Sequence, residues 1–210
     1  MNLLQILKPF LLPDSTPSTV QPKGVQFHSG KVTPGDVFVA IPGNASDGHH
    51  YIHDAVRGGA CAVVGEEAID GLPVPYYRVA NARQALAEMA NAFYGYPSRH
   101  HFMIGITGTN GKTTTAYLIR HILESSGISC SLFGSVTNYV NGKEIPSTQT
   151  TPDALQLQQW LSESRDQAVV MEVSSHGIDQ HRVGGIAFDY AIFTNLSHDH
   201  LNLNFESSTL

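Results

Sequence analysis

The residues best equipped for chemistry lie in one stretch, Ile104-Gly105-Ile106-Thr107-Gly108-Thr109-Asn110-Gly111-Lys112-Thr113-Thr114-Thr115. An apolar run leads into glycines, then into a Lys-Thr pair that opens a helical pattern. Glycines let a backbone curl until successive N–H groups face one anion, and a helix N-terminus adds favourable potential. Gly108, Thr109, Asn110, Gly111, Lys112, Thr113 and Thr114 are therefore the expected cradle of a triphosphate. Lys112 reaches the β/γ-phosphates and the Thr113 hydroxyl meets Mg²⁺. The stretch departs from the strict GxxxxGK[ST] pattern, because Ile106 stands where a glycine is expected.

Such a loop needs a buried strand before it and a helix after it. Phe102 to Thr107 reads as the strand, and about Lys112 to Glu124 as the helix, stopped by Gly127. Further on, Ser131–Val136, Ala168–Val173 and Phe188–Thr194 read as strands, and Thr151-Pro152-Asp153 opens another helix. Strand–helix alternation predicts a parallel, doubly wound sheet. Upstream, Asn2–Leu7 reads as a short helix and Val25–Phe27, Asp36–Ile41 and Cys61–Val64 as strands. Ile52, Ala55 and Val56 mark a helix face, and Asn81 caps a helix with Leu86, Met89, Ala90 and Phe93 on one side. Tyr94 to His101 reads as a hinge. The expected class is α/β: a small α/β domain over 1–98, then a parallel-sheet phosphate-loop domain over 99–210.

Composition bounds the partners. A net charge of −6, with 12 Lys+Arg and no basic run, argues against a nucleic-acid binder. No window of about 18 apolar residues predicts a membrane span. The first residues lack a basic segment and a cleavage site, so cytoplasm is the expected location. Cys61 and Cys130 read as buried thiols rather than a disulfide. His49, His50 and His53 read as decoration of a helix start and its solvent face, since no cysteine or carboxylate pattern completes a zinc site.

Further motifs sharpen this. TGTNGKTTT, HSGKVTPGDVFVAIPGNASDGHHYI, TQTTPD, MEVSSHGIDQHRV and FTNLSHDHLN together resemble the muramoyl-tripeptide synthetase branch of the Mur ligase family, over about residues 24–203. The resemblance implies an ATP- and Mg²⁺-dependent amide ligase of peptidoglycan precursor synthesis. It would add meso-diaminopimelate or L-lysine to UDP-N-acetylmuramoyl-L-alanyl-D-glutamate through an acyl-phosphate, as a monomer. It implies catalytic roles for Lys112, Glu172 and His200, with Thr113, Glu172 and His200 at the metal. Glu172 is notable as a carboxylate closing an apolar strand.

Phe27, Ser29, Asn44, Ala45 and Ser46 would hold the uridine diphosphate end. Thr150, Thr151, Ser174, Gln180 and Arg182 would grip the muramoyl-peptide, the arginine fork suiting a carboxylate or phosphate. The chain departs from the family at His28-Ser29-Gly30, where Asp-Ser-Arg is usual, and after Leu201. The family's carbamylated lysine and third domain would fall beyond residue 210, so the expectation is a C-terminally truncated ligase, unstable or inactive alone. The alternative is a non-catalytic nucleotide or UDP-muramoyl-peptide binding module. An unrelated phosphate-loop NTPase would explain the GKT but not the first domain.

Overall fold

The computed structural model describes residues 2–13, 15, 18–43 and 46–197. These residues form two compact units. One takes the described residues up to His100 together with Pro152–Ser164 and His176–Ala187. The other takes His101–Thr151, Arg165–Ser175 and the described residues from Phe188 on. In chain order the helices are α1 (Leu3–Leu7), α2 (Ile52–Arg57), α3 (Ala82–Phe93), α4 (Lys112–Ser125), α5 (Ala154–Glu163) and α6 (Ser175–Asp179). The strands are β1 (Gly24–Gln26), β2 (Asp36–Val39), β3 (Ala62–Gly65), β4 (Tyr76–Arg78) and β5 (Phe102–Thr107), then β6 (Cys130–Phe133), β7 (Thr137–Val140), β8 (Lys143–Pro146), β9 (Ala168–Glu172) and β10 (Tyr190–Phe193).

In the first unit β1-β2-β3-β4 form a sheet in that order, each pair parallel. Its strands alternate between two apolar layers. Val37, Val39, Val64 and Tyr77 face a core that includes Leu3, Leu7, Leu86 and Met89. Phe38, Ala40 and Val63 face a second layer with Ile52 and Ala55. Burial on both faces explains why the sequence reads as a continuous apolar run. Helix α3 starts where the Asn81 side chain accepts the Gln84 N–H at 2.9 Å.

The second sheet has the order β10-β5-β9-β6-β7-β8. Four strands are parallel, but β6–β7 and β7–β8 pair antiparallel. The expected wholly parallel sheet is thus corrected at one edge. Asn141 and Gly142 carry φ of 53° and 74°, the left-handed pair of a two-residue hairpin turn, and such a turn can only reverse the chain. Asp166 secures the hairpin: its carboxylate accepts the Ser131 hydroxyl at 2.6 Å and the Asn141 N–H at 3.0 Å.

Three smaller expectations also change. Strand β6 ends at Phe133, short of Val136. Cys61 is half-buried rather than buried; it and Cys130 are free thiols, as their setting predicts. His49 is buried, not on a solvent face. Its Nδ1 lies 2.7 Å from Asp47 Oδ1 while its Nε2 accepts the Glu66 N–H at 2.9 Å, so both ring nitrogens serve the fold. His50 and His53 are exposed.

Candidate functional site

In parallel sheets, ligands collect beyond the carboxyl ends of the strands. In the second unit the register brings three such ends level: Ile106 of β5 pairs with Glu172 of β9 and with Ile192 of β10. The loop Gly108–Gly111 leaves β5 there. Gly108 and Gly111 have φ of 129° and 85°, and a Cβ on Gly108 would come within 2.8 Å of the Asn195 carbonyl oxygen. Gly111 is the N-cap of α4 and provides no side-chain cap. The first-turn amides at Lys112, Thr113 and Thr114 therefore lack intrahelical acceptors and present an anion-binding end. The Lys112 ammonium arcs back over the loop, donating to the Gly108 and Thr109 carbonyls at 2.6 and 3.0 Å.

Glu172 is fully buried at the end of β9. A buried carboxylate must be paired or hydrogen-bonded. Here Oε2 accepts the Thr113 hydroxyl at 2.8 Å and the Ser135 hydroxyl at 3.1 Å, while Oε1 accepts the Ser135 N–H at 3.0 Å. Gly134 makes room for it, since a Cβ there would overlap Glu172 Oε1. The donors gathered at Thr113, Glu172 and Ser135 are all hard oxygens, one of them anionic, and that set fits Mg²⁺. Beside them Thr150 Oγ1 lies 3.1 Å from the Ser135 hydroxyl oxygen. Thr151 Oγ1 lies 3.1 Å from Ser174 Oγ, donates to the Glu172 carbonyl and accepts the Ser174 N–H. Thr150, Thr151 and Ser174 are thereby brought next to the carboxylate.

One part of the expected cradle is corrected. The Thr109 N–H donates to the Asn195 carbonyl and the Asn110 N–H to Asn195 Oδ1, both at 3.0 Å. These two amides are committed to the chain after β10, leaving the α4 end to face an anion. Asn195 was not singled out by sequence reasoning, although it sits inside the FTNLSHDHLN motif. Ser135 was missed too, and only the small residues after the SLF run hinted at it.

Among the described residues, the remaining predicted ones lie in the first unit. Arg182 holds Gln180 Oε1 with Nε and Nη2, at 3.1 and 2.7 Å. Burial pulls the Arg182 guanidinium below its usual basicity, opposed by the charge of Asp153. Phe27 and Ser29 follow β1, with the Phe27 ring 4.3 Å from the His28 ring. Ser46 follows β2, its hydroxyl 2.9 Å from the Tyr51 hydroxyl. Since β1 and β2 are parallel neighbours, all three lie past the carboxyl ends of their strands. Asn44, Ala45 and His200, with His198, lie outside the described residues.

Comparison with known proteins identifies the family. Residues 106–208 match the Mur ligase middle domain, and residues 22–94 match the domain described as "Mur ligase family, catalytic domain". The chain belongs to the Mur ligase family. It is 42% identical over 213 residues to the UDP-N-acetylmuramoyl-L-alanyl-D-glutamate--2,6-diaminopimelate ligase of Clostridium botulinum, covering 97% of this chain and 44% of that protein. It is also 42% identical, over 201 residues, to the UDP-N-acetylmuramyl-tripeptide synthetase of Deinococcus radiodurans, covering 91% of this chain and 41% of that one.

A solved diaminopimelate ligase structure superposes with a TM-score of 0.74 at 28% identity, over 96% of this chain and 41% of that chain. The chain thus spans about two fifths of the length of these Mur ligases. Among the described residues, no helix is long and apolar enough to cross a membrane.

Proposed function

We propose that this Mur ligase chain serves ATP-dependent amide bond formation in peptidoglycan precursor synthesis. The substrate would be UDP-N-acetylmuramoyl-L-alanyl-D-glutamate and the added amino acid meso-diaminopimelate, with L-lysine as the alternative. The observation that carries the reading is the 2.8 Å contact of Thr113 with buried Glu172, beside a capless helix end. The names of the relatives above support the substrate.

The γ-phosphoryl group of ATP passes to the D-glutamate carboxylate, releasing ADP. The amine nitrogen then attacks the acyl-phosphate, the amide C–N bond forms, and phosphate and a proton leave. Little covalent work falls to the protein, so positioning and charge neutralisation dominate. The α4 amides and Lys112 hold the phosphates. Thr113 and Glu172, with His200 expected beside them, would hold Mg²⁺, which when bound neutralises charge between the phosphate and the carboxylate. Thr150, Thr151 and Ser174 would orient the peptide beside Glu172.

In this reading residues 1–98 serve as the nucleotide-sugar domain, through Phe27, Ser29, Asn44, Ala45 and Ser46. Residues 99–210 carry the ATP site, and of them Gln180 and Arg182, which lie in the first unit, would grip the muramoyl-peptide. The chain works in the cytoplasm as a monomer without a nucleic-acid partner; its charge of −6 supports the last point. Titration calorimetry with Mg-ATP tests the reading. Saturable binding that is lost in K112A sustains it. No binding by the unsubstituted chain, or equal binding by K112A, overturns it.

A further inference from the structure

The short stretch after β10 grips the phosphate loop with unusual economy. Asn195 Oδ1 accepts the Asn110 N–H at 3.0 Å, and Asn195 Nδ2 donates to the Asn110 carbonyl at 2.9 Å. One side-chain amide thus satisfies both backbone groups of one residue, as a neighbouring strand would. The backbone of the same stretch joins in: the Asn195 carbonyl accepts the Thr109 N–H, and the Ser197 N–H donates to Thr109 Oγ1 at 3.0 Å. The Thr194 hydroxyl adds a bond to the Asn110 carbonyl at 2.7 Å. Asn110 immediately precedes Gly111, whose φ of 85° turns the chain into α4. Fixing the Asn110 peptide fixes the direction from which the α4 amides and Lys112 approach an anion.

We infer that Asn195 is a positioning residue for the phosphate loop, acting through Asn110 rather than on the nucleotide. The inference rests on the nucleotide reading given above. A carboxamide is the group that suits the task. Aspartate would keep the acceptor, lose the donor and bring negative charge beside the phosphates. Glutamine would offer the same pair on a longer stem and miss the register. Alanine would leave the Asn110 N–H to water and its carbonyl with the Thr194 hydroxyl, in a loop that must hold several groups within a few tenths of an ångström.

The test compares the full chain with N195A and N195D by Mg-ATP calorimetry and by amide hydrogen exchange. Loss of the grip is expected to weaken Mg-ATP by roughly tenfold, the scale of one good hydrogen-bond pair. Exchange at the Asn110 amide in N195A should speed by a similar factor, while the amides of Val169 to Met171 keep theirs. A purely structural role would speed both sets together, and that result would overturn the inference. So would N195A binding Mg-ATP within twofold of an unsubstituted chain that binds it. An unsubstituted chain that binds no Mg-ATP would instead remove the nucleotide reading, and the inference with it. If N195A does not fold, N195D carries the comparison. It should keep Asn110 amide protection and still lose affinity, and unchanged affinity would refute the proposal.

Discussion

The two sheets treat their carboxyl ends differently. In the second unit the predicted groups converge: Thr113 bonds to Glu172, and Ser135, which the sequence reading missed, joins Glu172 to Thr150. In the first unit, Phe27 leans on His28 and Ser46 on Tyr51, each predicted residue served by a local neighbour. A compact, multiply charged anion needs converging donors fixed beforehand, and burial of Glu172 supplies the rigidity. An extended ligand is recognised by dispersed contacts, each cheap to build and individually weak. Convergence should therefore make the second site fragile to single substitutions and the first tolerant of them.

The largest break in that comparison should come from E172Q. Glutamine keeps the shape but removes the charge and one strong acceptor from a buried, fully bonded position. Mg-ATP affinity is expected to fall roughly 100-fold, equivalent to about 2.7 kcal/mol, while metal-free ATP changes little. Titration with and without Mg²⁺ separates the two. Ser46→Ala in the first unit should leave Mg-ATP affinity within about twofold, because it removes one exposed hydroxyl. Equal losses in both variants would erase the distinction.

Glycines sharpen the contrast at the level of stability. A methyl at Gly134 would overlap the Glu172 carboxylate, whose own position is held by three hydrogen bonds. G134A is expected to cost about 1–3 kcal/mol in urea unfolding, through displacement of a buried charge. At Gly30 a Cβ meets nothing within 4 Å, so G30A should fall within about 0.5 kcal/mol of the unsubstituted chain.

Legibility in the sequence follows the same divide. The loop, its strand and α4 were readable because backbone curvature must be written in glycines and an apolar run. Helix α3 was readable from its cap and its i, i+3, i+4, i+7 face. Strand β4 escaped because Tyr76–Arg78 is too short to show a period. The β7–β8 hairpin escaped although Asn141-Gly142 is a strong turn signal, because its strands offer mixed burial and few apolar residues. Asn195 and His49 escaped for a different reason. Each acts by bonding backbone far along the chain, at Asn110 and at Glu66, and no local pattern records such a partner.

In pH dependence the units should weaken at opposite ends of the scale. In the first unit, hydrogen bonds from the His49 backbone and ring hold the Asp47 carboxyl below its ordinary 3.8. The folded state thus binds the proton less readily than the unfolded one. The stabilisation is present above 3.8 and is lost as pH falls through the lower, folded value. In the second unit, burial pushes the Cys130 thiol from 9.0 up to about 12. Here the folded state keeps its proton while the unfolded chain ionises, so stability falls as pH rises from 9.0 towards about 12.

Unfolding followed by the hydrogen exchange of each sheet, at acid and alkaline pH, reads the two effects separately. C130S should flatten the alkaline decline in the second sheet and leave the acid limb alone, and D47N should do the reverse in the first. If either substitution moved both limbs equally, the acid limb would not belong to Asp47 nor the alkaline limb to Cys130, and that assignment would have to be abandoned.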